Sequence, residues 1–283
     1  MKPNYHEIGV GATEELSLRV SVGTLVSVFF HSPADGRTML ALERFATLRQ
    51  VEGQSDVIVK AKPFGGAVRI TNPQELMRMI GHFHYDSERS REESDFRIQI
   101  RPASWERIKE ICLQHLQKTD KGVLDSSPHR ELTEEFGDTL HIGITSDQYR
   151  LQPCGMVIED LPTETENVRA EKIPTVRVYF LFEAWMQTPE IILMMLANTK
   201  QYSDEDLEKL AWKDARQGGK GRANAILVVE LDDLKKQDGS IPMENLNGPI
   251  RVDGHELDGN VLALLEEVEN PKYQRHPNMP TSG

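Results

Sequence analysis

The residues Arg130-Glu131-Leu132-Thr133-Glu134-Glu135-Phe136-Gly137 are the stretch of this chain best suited to chemistry. Read as a helix, they place Glu131, Glu134 and Glu135 at i, i+3 and i+4, so three carboxylates share one face with neighbours about 6 Å apart. Such a face repels itself by roughly 0.2–0.5 kcal/mol per pair, and a divalent cation on hard oxygen ligands is the usual compensation. Arg130, four residues before Glu134, is expected to hold that carboxylate in one orientation. Leu132, Phe136 and Leu140 fall at steps of four and are expected to pin the helix to a core. Ser127 reads as the N-cap with Pro128 at N1, and Gly137 as the left-handed cap that ends the helix. A solvated acidic face would have the same composition, so the choice between the two turns on what lies upstream.

Upstream, the strand-like run Val57-Ile58-Val59-Lys60-Ala61-Lys62 meets Pro63-Phe64-Gly65-Gly66. Two adjacent glycines permit a tight bend, or a ligand approach that side chains would forbid. The order Arg-Glu-apolar-x-Glu-Glu-x-Gly resembles the core of the Nudix box, a loop-helix-loop that holds magnesium or manganese against a nucleotide pyrophosphate. Pro63-Phe64-Gly65-Gly66 is similar to the segment that leads into that box. The resemblance implies a hydrolase of a nucleoside diphosphate linked to another moiety, with Mg²⁺ or Mn²⁺ as cofactor. It implies Glu134 and Glu135 as metal ligands, Glu131 as a ligand or as the base, Arg130 as the residue that orients Glu134, and Gly66 as a carbonyl donor or a sharp turn. Arg44, Gly65, Lys220 and Arg222 are the residues expected to contact substrate. One further acid is expected from Glu164, Glu166, Glu171 or Glu183.

The chain departs from the pattern in three ways. Arg130 follows Gly66 by 64 positions, so about 50 residues interrupt the box. Asn72 stands where the box has its first glutamate, and Asp138 where it prefers an apolar residue. These departures keep a second reading open, a Nudix-like module that binds a nucleotide or a protein without hydrolysis. A third, an unrelated α+β scaffold, predicts Glu131, Glu134 and Glu135 turned to solvent away from Gly66.

The elements that must position these residues follow from pattern. Leu18 to Phe30 reads as a strand, Pro33-Ala34-Asp35-Gly36 as a turn, and Thr38 to Arg44 as the returning arm of a hairpin. Asn72-Pro73 opens a helix, Phe96 to Ile100 alternates like a strand, and Pro102 to Leu116 is amphipathic, with Trp105, Ile108, Cys112, Leu113 and Leu116 on one side. This stretch, about 72–125, reads as an inserted helical subdomain serving as extra core, partner face or lid. His82 and His84 at i, i+2 would point apart on a helix and are placed at the surface. Tyr149 to Gln152 and Gly155 to Glu159 read as strand pieces, Thr175 to Trp185 as the best strand, and Pro189 and Ser203 open two helices. The glycine-rich basic stretch from Lys213 to Arg222 is either a phosphate clamp or an exposed loop. Ala225 to Leu231 is a further strand and Asn260 to Val268 a closing helix.

The fold expected is α+β, a Nudix-like α/β/α sandwich with a mixed sheet. Residues 1–17 form a lead-in, 18–268 one domain with its insertion, and 269–283 a polar tail. A net charge of -12 argues against a nucleic-acid-coating surface. Cys112 and Cys154 fit free thiols in a reducing compartment. The absence of a long apolar run and of a signal-peptide pattern points to a cytoplasmic protein without membrane contact. A nucleotide-derived small molecule is the expected partner, and a homodimer is left open.

Overall fold

The computed structural model describes residues 16–51, 54–119, 122–139, 141–163, 173–236, 250–252, 254–264 and 273–277. Among them a mixed sheet of 12 strands carries helices on both faces, an α+β arrangement. Strand β1 (Leu18–His31) shows the expected partial alternation but is buried along nearly its whole length, Arg19, Thr24 and Ser27 included, because helices cover both faces of the sheet around it. It returns as β2 (Thr38–Val51) through the expected turn, where Gly36 takes φ 72°. Strand β3 (Gln54–Lys62) pairs with the second half of β2. Pro63 has no N–H to continue that ladder. The chain crosses there to β1 as β4 (Phe64–Ala67), with Gly65 opposite Leu25 and Gly66 opposite Thr24.

The stretch expected as a separate helical subdomain is built into the main sheet. After β5 (Arg69–Ile70), Asn72 caps α1 (Pro73–Ile80), its Oδ1 accepting from the Glu75 N–H at 3.0 Å. Then come β6 (His84–Tyr85), α2 (Glu88–Glu92), β7 (Arg97–Ile100), which pairs with β1, and α3 (Trp105–Leu116). Leu76, Ile80, Ile108 and Ile111 share one core with Val20, Val22, Val176 and Val178. The apolar face of that half of the sheet needs a cover, and α1 and α3 supply it. Buried Arg19 on β1 fastens the stretch further, donating from Nε and Nη2 to Asp86 Oδ2 at 2.9 and 2.7 Å.

Strand β8 (Leu124–Asp125) leads to α4 (Pro128–Thr133), which continues as a π-helical turn, Glu134–Thr139. Strands β9 (Tyr149–Thr163) and β10 (Thr175–Met186) are antiparallel, and β10 lies parallel to β1. The two strand pieces expected from Tyr149 to Glu159 are one strand with a register shift near Pro153, which hides its periodicity. Helix α5 (Pro189–Gln201) packs on the face that carries α4, with Ile191 and Met195 in one cluster with Leu132 and Phe136. Helix α6 (Asp204–Arg216) lies on the other face, Leu207 and Ala211 meeting Ala46 and Ala225. Strand β11 (Arg222–Glu230) adds to β2. Helix α7 (Leu231–Lys236), strands β12 (Ile250–Val252) and β13 (His255–Leu257), and helix α8 (Val261–Leu264) complete the second face.

Within the stretch expected as a polar tail, β14 (Tyr273–Pro277) pairs with β9. The expected closing helix is described only as α8, and residues 1–15 of the lead-in, Leu140, Glu164, Glu166 and Glu171 lie outside the described residues. Among the described residues no helix is long and apolar enough to cross a membrane.

Candidate active site

Helix α4 starts as its sequence demands. The Ser127 hydroxyl accepts from the Arg130 N–H at 3.4 Å, and Pro128 fills the first turn. Leu132 and Phe136 are fully buried, and the Phe136 ring stacks at 4.8 Å on Phe64 of β4. That contact holds the helix against the glycine pair. Gly137 is not the cap: it lies within the π-helical turn without a positive φ, and His141 takes the left-handed conformation at φ 57°. The wider turn changes the expected spacing of the carboxylates.

Glu131 is only 5% exposed and its carboxylate lies directly on Gly66, where a Cβ would sit 2.0 Å from Glu131 Oε2. Glu131 Oε1 accepts from Arg130 Nη2 at 2.6 Å, and the same nitrogen reaches the Ala67 carbonyl at 3.3 Å. Arg130 therefore does not orient Glu134, as its i, i+4 spacing suggested. A buried carboxylate competes better for a guanidinium than one in water does. Glu134, close to half exposed, is held instead by Arg69 Nη2 at 3.2 Å. Glu135 lies mostly buried beside Glu43, with Lys62 Nζ 4.0 Å from its Oε1 and 2.6 Å from Glu43 Oε2. Solvent-facing carboxylates, the arrangement expected of an unrelated scaffold, are not found for Glu131 and Glu135.

Burial pushes the Glu131 pKa up to about 7. Glu134 and Asp95 add to the rise, and Arg130 and Arg69 oppose it. Burial raises Glu135 as well, the nearby Glu43 carboxylate adding to it while Lys62 opposes. Burial alone would lower the Lys62 pKa, but Glu43 and Glu135 outweigh it and raise the ammonium pKa.

A carboxyl whose native pKa exceeds its unfolded value stabilises the fold fully below the unfolded value, about 4.5. That stability is lost as pH rises through 7. His276, lowered by burial, works in the opposite sense, its contribution growing as pH rises toward its ordinary 6.5 and staying constant above it. With EDTA present, thermal unfolding is expected to show the native chain losing on the order of 1–3 kcal/mol relative to Glu131→Gln between about pH 5 and 8. Parallel pH profiles for the two proteins would contradict the assignment.

Glu43 is the acid that pattern reading missed. It is 3% exposed, and its Oε1 accepts from Asn224 Nδ2 at 3.1 Å. Its Oε2 is buried without a well-aligned hydrogen bond beside Lys62. Neighbouring residues on a strand face opposite ways, so Arg44, expected at the substrate, points to the α6 face. There it is buried, Nη1 donating to Asp204 Oδ1 at 3.2 Å and Nη2 to the Tyr202 carbonyl. The signal for Glu43 was its place on β2 two residues after Ala41, on the strand face that packs toward α4. Glu183 bonds Gln152 Nε2 at 2.6 Å and Trp185 Nε1 at 3.2 Å, and no contact among the described residues joins it to the α4 cluster.

Gly65 sits in β4 at φ 142°, where a Cβ would meet the Thr24 carbonyl oxygen at 2.0 Å. Its smallness serves the β1–β4 pairing. Lys220 is exposed in a loop where Asp214 Oδ2 already accepts from the N–H groups of Gly221 at 2.8 Å and Arg222 at 3.2 Å. Arg222 lines a groove beside Asn224. His82 and His84 are exposed but follow α1, and their Nε2 atoms face each other at 3.3 Å.

Among the described residues no three His, Cys, Asp or Glu side chains converge into a ready-made cation cage. In donor chemistry the set fits a hard divalent ion: all are carboxylates, burial first and neighbouring carboxylates second disfavour the charge on Glu131 and Glu135, and the missing side chain at Gly66 is what lets the Glu131 carboxylate lie there. No family model, no curated protein and no solved structure matches the chain.

Proposed function

We propose that the chain is a Nudix-type hydrolase that cleaves a pyrophosphate bond in a nucleoside diphosphate linked to another moiety, with Mg²⁺ or Mn²⁺ as cofactor. The observation that carries this reading is the buried Glu131 carboxylate, laid against Gly66 and held through Oε1 by Arg130. Glu131, Glu134, Glu135 and the Gly66 carbonyl are the groups that would hold the ion, which supplies positive charge for the phosphoryl oxygens and lowers the pKa of water. With Oε1 held by Arg130, Glu131 Oε2 is the acceptor for a proton from the attacking water. Arg130 is a positioning residue that leaves Oε2 as the free oxygen. Burial of Glu131 and Glu135 strengthens the charge interactions of those two carboxylates.

The alternative of a Nudix-like binding module is favoured by two observations. Asn72, in the place of the first glutamate, is spent on capping α1. The Lys62 ammonium already compensates Glu43 and Glu135. Release of phosphate or nucleotide from a panel of nucleoside diphosphate derivatives separates the two. The hydrolase requires Mg²⁺ or Mn²⁺ for turnover and loses about 100-fold or more in Glu135→Gln. Nucleotide binding without release by either protein is the outcome for the module.

A further inference from the structure

A groove of about 560 Å³ lies between the end of α5, helix α6 and the first residues of β11. Its size is within the ~300–1,000 Å³ usual for small-molecule sites. Lys213 and Arg222 line it, both exposed, and among the described residues neither side chain has a carboxylate partner. Unpaired cations in a concavity stand out on a chain of net charge -12. Asp214 also lines the groove, but its carboxylate is engaged by the Gly221 and Arg222 N–H groups. It thereby fixes the loop that presents the Arg222 side chain. Tyr202 and Leu210 supply an aromatic and an apolar wall. Asn224, which also lines the groove, donates to Glu43, which joins Lys62 and Glu135.

We propose that this groove is a binding subsite for a phosphorylated small molecule with a planar ring, the phosphate between Lys213 and Arg222 and the ring against Tyr202. Two cations with a free approach recognise a phosphate dianion, and the phenol ring offers stacking area to a base. The link through Asn224 to Glu43 places the subsite beside the carboxylate cluster. On the hydrolase reading it would take the nucleoside monophosphate part of the substrate, but binding there requires neither metal nor turnover.

Titration calorimetry of the full chain in EDTA tests this, with AMP and UMP as probes and ribose 5-phosphate and inorganic phosphate as comparison arms. The native protein is expected to bind the nucleoside monophosphates. Lys213→Met and Arg222→Met should each weaken that binding about tenfold. Tyr202→Ala should weaken the nucleoside monophosphates and leave ribose 5-phosphate unchanged. Equal affinity for inorganic phosphate and nucleotide overturns the ring-binding role. No binding of any probe, or affinities unaffected by both charge variants, overturns the subsite. EDTA excludes turnover, so this failure is separate from failure of the hydrolase reading, which metal-dependent release would still support.

Discussion

Gly66→Ala is expected to lower metal-dependent turnover by about 100-fold or more while leaving the chain folded. The added Cβ would lie 2.0 Å from Glu131 Oε2, the far end of a side chain, so the carboxylate is displaced and the backbone is not. A misplacement of about 1 Å in a reacting group costs on the order of 10²-fold. The cost in stability should stay near 1–3 kcal/mol, the usual range for overpacking. Gly65→Ala is the contrast. Its Cβ would meet the Thr24 carbonyl at 2.0 Å from a φ of 142°, so backbone must move and the β1–β4 pairing is broken. Unfolding in denaturant should show a loss of about 3 kcal/mol or more. Shortening the carboxylate with Glu131→Asp in the Gly66→Ala background should recover stability but not turnover. Equal stability losses in the two alanine variants would refute the assignment of Gly66 to the carboxylate and Gly65 to the sheet.

Glu131→Gln is expected to lower kcat by about 10²–10⁴, the range of general acid–base catalysis, with a smaller change in KM. The amide keeps the volume that packs on Gly66 and can still accept from Arg130, so circular dichroism, and the thermal midpoint below about pH 5, should change little. Arg130→Lys provides the complementary test. It retains the charge but loses the planar guanidinium whose Nη2 reaches both Glu131 Oε1 and the Ala67 carbonyl, so kcat should fall with the fold intact. Turnover within about fivefold of native in Glu131→Gln would remove this carboxylate from the chemistry.

Much of the local architecture was legible. Ser127 before Pro128, Asn72 before Pro73 and Ser203 before α6 are caps read from the sequence, and each side chain accepts a helix N–H, whereas Thr188 before Pro189 makes no side-chain cap hydrogen bond. The β1–β2 hairpin and the amphipathic α3 follow from turn residues and periodicity in the same way. These features arise from hydrogen bonds and side-chain spacings spanning a few residues, which a single sequence displays directly.

The partners of the charges were not legible. Spacing within the helix pointed to Arg130 with Glu134, whereas the fold pairs Arg130 with Glu131 and Glu134 with Arg69. Strand alternation sends Arg44 to α6 and brings Glu43 to Lys62 and Glu135. A break at Pro63 lets β4 leave β2 for β1 and carry Gly66 under Glu131. The sequence by itself determined the β1–β2 hairpin, the N-terminal caps of α1, α4 and α6, and the acidic character of α4. Only the tertiary structure decided which carboxylates are buried and which cation each one meets. Those outcomes depend on sheet register and desolvation, set by contacts between residues far apart in the chain, and local spacing carries no record of them.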